Sequence, residues 1–136
     1  MDDLTQRIDA FLAGAPHAVV GASTNRAKYG NKVLRAYLQH DRPVYPVNPR
    51  AEMIEGVPAV ATLRDLPEPV HGISIITPPA ITEQIVEDAA ELGIRHLWMQ
   101  PGAESVRALE RGAELGLSVI GGDACLLVVV GYSERG

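Results

Sequence analysis

Apolar positions along this chain switch between short continuous runs and three- or four-residue spacing, and the switches fall at glycine and proline. Leu4, Ile8, Phe11 and Leu12 share one helical face behind Asp2 or Asp3 as cap, and Gly14 ends that helix. His17 to Val20 is a buried-strand run that stops at Gly21, and a polar loop follows to Gly30. Val33, Leu34, Tyr37 and Leu38 then return to helical spacing. Pro43 to Val47 reads as a second strand, closed by Asn48-Pro49. Residues 51–69, with Gly56, Pro58, Pro67 and Pro69, make a connector with short elements at most. Gly72 to Ile76 is a strand. Thr77-Pro78-Pro79 opens a helix whose buried stripe is Ile81, Ile85, Ala89 and Leu92, with Gly93 as its exit. Arg95 to Met99 is a strand, Gln100-Pro101-Gly102 a turn, and Val106, Leu109 and Ala113 are the inward positions of a helix ending at Gly116. Leu117 to Ile120 is another strand before Gly121-Gly122-Asp123. Leu126 to Val130 reads equally as a strand or as a turn packed on the core.

This alternation predicts a single α/β domain over residues 1–136. It is Rossmann-like and doubly wound, a mainly parallel sheet of five or six strands flanked by helices with right-handed crossovers. Low aromatic content (4%) leaves the core to Val, Ile, Leu and Ala, a palette that suits a parallel sheet between helices. One cysteine, Cys125, excludes an intrachain disulfide and a cysteine metal cluster. The acidic, amphipathic amino terminus is unlike a signal peptide, and no apolar run approaches a membrane span, so a soluble cytoplasmic protein is expected.

The net charge of −5 argues against nucleic acid as a partner. Its distribution says more. No acid lies between Asp9 and Asp41, while Arg26, Lys28, Lys32 and Arg35 all fall there, and such an island points to a small anionic ligand. In doubly wound sheets ligands bind beyond the carboxyl ends of the strands. The fold reading gathers Gly21-Ala22-Ser23, Asn48-Pro49, Thr77-Pro78-Pro79, Gln100-Pro101-Gly102 and Gly121-Gly122 along that edge. The first turn is neither Gly-x-Gly-x-x-Gly nor a Walker loop. It offers a tight turn at Gly21, a hydroxyl at Ser23, cations at Arg26 and Lys28, and Gly30 at a helix amino end. Together these make a diphosphate site, with an ordinary solvated loop as the alternative. The second strand ends in Val47-Asn48-Pro49-Arg50 without the carboxylate that accepts from the ribose of NAD, which favours a phosphorylated adenosine.

These residues resemble the small CoA-binding proteins, single domains similar to the amino-terminal domain of the succinyl-CoA synthetase alpha subunit. The likeness runs from about His17 to Val129. It rests on VVGASTNRAKYGNKV at 19–33, VYPVNP at 44–49, IEGVPA at 54–59, LRDLPEPV at 63–70, IITPP at 75–79 and GIRHLWMQPGAES at 93–105. The resemblance implies coenzyme A, or an acyl-CoA, over the strand ends. Gly21, Ala22, Ser23, Arg26, Lys28, Tyr29 and Gly30 would form the phosphate-binding turn. Val47, Asn48 and Pro49 would meet the adenosine, and Thr77, Pro78 and Pro79 would flank the nucleotide or the pantetheine arm. The synthetase also needs a domain with a phosphorylated histidine, for which this chain has no room. Synthetase activity is therefore not carried over, and a binding module without its own catalysis is expected. An NAD(P)-dependent enzyme and an interaction subunit of an acyl-CoA-handling complex are the alternatives. A second copy of the chain or an acyl-CoA enzyme are the protein partners the resemblance allows.

The remaining chemistry-bearing residues read as structural. His17, His40, His71 and His96 lack metal-ligand spacing. Cys125 reads as a small core residue, Glu83, Glu87 and Glu91 as a solvent-facing stripe, and Glu104 and Ser105 as helix-capping residues. Trp98 either covers a pantetheine arm or fills the core.

Overall fold

The computed structural model describes residues 3–122 and 124–134. Asp3 caps α1 (Leu4–Ala13) in a reciprocal box, accepting from the Gln6 N–H at 2.9 Å while Gln6 Oε1 accepts from the Asp3 N–H. Asp2, the other candidate cap, and Asp123 lie outside the described residues. There follow β1 (His17–Val20), α2 (Tyr29–Gln39) and β2 (Val44–Val47). The connector holds a two-residue hairpin, β3 (Met53–Ile54) and β4 (Val57–Pro58), and a 3₁₀ turn at Leu63–Asp65. Then come β5 (Gly72–Ile75), α3 (Pro79–Glu91), β6 (His96–Met99), α4 (Val106–Glu114), β7 (Ser118–Ile120) and α5 (Leu126–Val130).

The main sheet is five-stranded and parallel throughout, in the order β2-β1-β5-β6-β7. Pleat alternation splits the core between its faces. Val19, Trp98 and Ile120 join Phe11, Val33, Leu34 and Leu126 under α1, α2 and α5. Ala18, Val20, Ile73, Ile75, Leu97 and Met99 pack with Val86, Ala89 and Ala108 of α3 and α4. Both faces are covered, which is why the strands are apolar without alternation. Trp98 is wholly buried, edge-on to Phe11 at 5.2 Å, and donates through Nε1 to the Ala124 carbonyl at 3.0 Å. It is a core residue. Among the described residues no helix is long and apolar enough to cross a membrane.

The structure revises three sequence expectations. In α3 the buried stripe is Thr82, Val86 and Ala89, and Ile81 is 51% exposed. The apolar face is wider than the sheet can cover, so its edge turns elsewhere. In α4 the buried positions are Ala108 and Gly112, while Val106 is 72% exposed and Ala113 is exposed. Small side chains bring this helix close to β7, and close approach decides its rotation. The Leu126–Val130 tail is a helix despite its β-branched run: Leu126, Leu127 and Val130 face the α2 layer while Val128 is 81% exposed. One-sided burial at helical spacing overrides local strand preference there.

The glutamate stripe of α3 is also engaged rather than simply solvated. Glu83 accepts from the Ser105 hydroxyl at 2.9 Å, and Glu87 takes a two-pronged bond from Arg111 at 2.6 and 3.1 Å. Glu91 pairs with Arg64. Ser105 caps α4, accepting from the Ala108 N–H at 3.0 Å, and Glu104 accepts from the Gly102 N–H at 3.0 Å.

Candidate functional site

The chain leaves β1 toward β2 on one side and returns to β5 on the other, so its winding reverses between β1 and β5 while the strands stay parallel. The loops diverge at such a point and open a crevice beyond the strand ends. Two adjoining recesses lie there, of about 340 and 410 Å³, sharing Gly21, Ala22, Asn48 and Thr77.

Backbone geometry sets the entrance. Gly21 has φ +93°, and a Cβ on it would stand 2.0 Å from the Ile76 carbonyl oxygen. A Cβ on Gly30 would stand 2.0 Å from the Gly21 carbonyl oxygen. Only glycine lets the first turn of α2 close against the end of β1. The loop between them is held by its own bonds. Ser23 Oγ accepts from the Asn25 N–H at 3.1 Å, and Asn25 Oδ1 from the Ala27 N–H at 3.0 Å. Buried Asn31 donates to the Ser23 carbonyl at 2.8 Å and accepts from Arg35 Nε at 2.7 Å, and Arg35 donates to the Arg26 carbonyl at 2.8 Å.

The two recesses differ in chemistry. The first is mainly apolar, lined by Val47, Pro49, Leu63, Ile81 and Ile85 together with Thr62 and Asp88. The second is lined by Ser23, Lys28, Tyr29, Gly30 and Pro78. Lys28 is the residue before α2 and Pro78 the residue before α3, and neither gives its helix a side-chain cap. Two helix amino ends, each with the positive end of its dipole, therefore border one recess beside an ammonium group, although Pro78 and Pro79 carry no N–H and the Asn31 and Ile81 N–H groups donate to the Lys28 and Pro78 carbonyls at 3.1 and 2.9 Å. Such an arrangement can receive an anion.

The basic island resolves into separate roles. Arg26 lies 3.4 Å from Glu55, Lys32 2.7 Å from Glu134, and Arg35 3.8 Å from Glu134 with its guanidinium over the Tyr132 ring. Of the four cations, Lys28 is the one that lines the recesses. The structure thus brings together Gly21, Ala22, Ser23, Lys28, Tyr29, Gly30, Val47, Asn48, Pro49, Thr77 and Pro78. It sets Arg26 against Glu55 and places Pro79 in the first turn of α3, neither of them on the lining.

Asn48 is a clasp as well as a wall. Its Nδ2 donates to the Ala22 carbonyl at 2.8 Å and its Oδ1 accepts from the Arg50 N–H at 2.7 Å, tying the β2 exit to the β1 exit. The Thr77 hydroxyl is bonded to buried Thr82 at 2.7 Å. Burial pushes the Tyr29 phenol up, so it stays protonated. Sequence reasoning missed Leu63, Ile81 and Ile85 as walls and Asn31 and Glu55 as loop supports. The signal for Ile81 was an apolar stripe on α3 that competes with the Thr82, Val86 and Ala89 stripe. No local signal marked Glu55, whose turn meets Arg26 and Asn31 only in three dimensions.

Residues 16–131 match the family described as CoA binding domain. The chain is 30% identical over 89 residues to acetate–CoA ligase (ADP-forming) II subunit alpha of Pyrococcus furiosus, covering 65% of this chain and 20% of the ligase subunit. It thus spans about a fifth of that relative's length. The protein YneT of Bacillus subtilis is 27% identical, with 82% of each chain covered. A conserved hypothetical protein from Pyrococcus furiosus superposes with a TM-score of 0.78 at 38% identity, covering 83% of this chain and 97% of that one.

Proposed function

The chain belongs to the CoA-binding domain family, and from that premise we propose that its cleft holds coenzyme A or an acyl-CoA, in the cytoplasm, as a binding module without chemistry of its own. The observation that carries this reading is the pairing of a mainly apolar recess with one that can receive an anion, at the point where the winding of the sheet reverses. The adenine ring fits among Pro49, Leu63, Ile81 and Ile85. The diphosphate takes the second recess, against Lys28 and the amino ends of α2 and α3. The pantetheine arm leaves past Thr77 and Pro78. The relatives that are ligase subunits support an acyl-CoA-handling enzyme as the protein to which a loaded chain presents its ligand.

Calorimetric titration tests the reading. Coenzyme A is expected to bind, dephospho-CoA to bind more weakly, and NADPH to bind less well than either. Absence of heat and of thermal stabilisation by coenzyme A up to millimolar concentration removes the reading. Stabilisation by NADPH but not by coenzyme A replaces it with a pyridine-dinucleotide site. Incubation with acetyl-CoA alone is expected to leave the thioester intact, and steady hydrolysis would overturn the non-catalytic part.

A further inference from the structure

Tyr29 joins the second recess to a polar cluster that nucleotide binding leaves unused. Its hydroxyl is hydrogen-bonded to the half-buried thiol of Cys125 and lies 3.4 Å from Gln100 Oε1. Gln100 is wholly buried at the carboxyl end of β6, where its backbone N–H donates to the Ile75 carbonyl at 3.0 Å. Its Oε1 also accepts from the Leu126 N–H at 2.9 Å, which fixes the orientation of the carboxamide. The other end of the same group, Nε2, is buried and has no hydrogen-bond partner among the described residues. A buried amide donor left unpaired is costly, and a ligand that carries a carbonyl oxygen into this cluster relieves the cost. Cys125 is the single cysteine of the sequence, so its thiol has no partner for an intrachain bridge.

We propose that Cys125 is a thiol-exchange site for the ligand held in the cleft, forming a mixed disulfide with the sulfur end of a coenzyme A disulfide while Gln100 Nε2 donates to an amide carbonyl of the arm. The proposal rests on the coenzyme A reading of the recesses. Gln100 and Cys125 follow β6 and β7 at the same edge of the sheet, and Tyr29, which lines the recess, links them to it through its hydroxyl. In the exchange, the Cys125 thiolate attacks one sulfur of the coenzyme A disulfide. The old S–S bond breaks as the Cys125–CoA bond forms, and the second coenzyme A leaves as a thiolate that takes up the proton Cys125 lost. No separate oxidant enters. The Tyr29 O–H is placed to donate to the Cys125 sulfur, which makes Tyr29 a positioning residue.

Intact-mass spectrometry of the whole chain with symmetrical coenzyme A disulfide tests this. The expected product is a single adduct of one coenzyme A less two hydrogens, reversed by dithiothreitol and absent in Cys125→Ser. Because the cleft raises the local concentration of the reacting sulfur, the rate is expected to exceed that with oxidised glutathione roughly tenfold or more. Adenosine 3′,5′-bisphosphate, which occupies the nucleotide part alone, is expected to erase that advantage. Equal rates with the two disulfides, or no protection by the bisphosphate, overturn the exchange site. Titration of the reduced wild-type chain with coenzyme A separates the two readings: retained binding leaves the cleft assignment standing when exchange fails, and lost binding removes both.

Discussion

The two rims of the sheet are built from the same strands and helices yet end in opposite chemistry. At the carboxyl rim the amino ends of α2 and α3 border an open recess without side-chain caps. At the amino rim three of the last carbonyls of α1 are met by side chains. His71 Nε2 bonds Ala10 O at 2.8 Å, His17 Nε2 bonds Phe11 O at 2.7 Å, and Arg42 donates to Leu12 O at 3.0 Å. His71 stacks on His96 at 4.3 Å and closes the layer. Parallel strands with antiparallel helices collect donors at one rim and acceptors at the other. The acceptor rim is met from within and serves stability, while at the donor rim Lys28 and two helix amino ends border an open recess.

Breaking the donor rim at its tightest point should have the largest effect. Gly21→Ala forces a Cβ to within 2.0 Å of the Ile76 carbonyl at φ +93°. The expected loss is about 3 kcal/mol or more in urea unfolding, together with ligand binding. A variant as stable as the parent would show that the β1–α2 turn is not under this constraint.

The acceptor rim should fail in acid. Burial holds the His17 imidazole down to about 4, against an ordinary value of 6.5, with His71, Arg42 and His96 pushing the same way. Burial lowers His96 as well. The unfolded chain therefore binds protons more readily than the folded one. Stability is full above pH 6.5 and falls as pH drops from there toward 4, by roughly 3 kcal/mol for His17 alone. His17→Gln should flatten that slope in pH-resolved urea melts. An unchanged slope would place the acid sensitivity elsewhere.

A smaller and sharper test exploits the missing cap. Lys28→Ser supplies α2 with a capping hydroxyl and removes the ammonium from the recess. Stability is expected to rise by about 0.5–1 kcal/mol while coenzyme A affinity falls roughly tenfold. Opposite signs in one variant distinguish a ligand-binding lysine from a structural one, and a parallel fall in both would argue for structure. The smallest effect on affinity is expected for Lys32→Ala, whose ammonium faces Glu134 at 2.7 Å. Its coenzyme A titration should match the parent within about twofold, and a tenfold loss would return the whole basic island to the ligand.

The sequence by itself determined the strand runs, their parallel order of β and α, the Gly21 turn and the meeting of the turns at 21–23, 48–49 and 77–78. Short apolar runs bounded by glycine and proline, joined by helical spacing, admit few other folds, and a parallel sheet must gather its βα turns at one rim. Tertiary structure alone decided the rotation of α3 that turns Ile81 and Ile85 into a cleft wall, the helix at Leu126–Val130, and the use of Asn48 as a clasp. It also decided which cations face the recess: Glu55 and Glu134, remote in sequence, meet Arg26, Lys32 and Arg35, and leave the lining to Lys28. Local pattern specifies what a residue can do next to its neighbours along the chain, whereas the partner that engages a charge or covers an apolar edge is supplied by an element that only folding brings near.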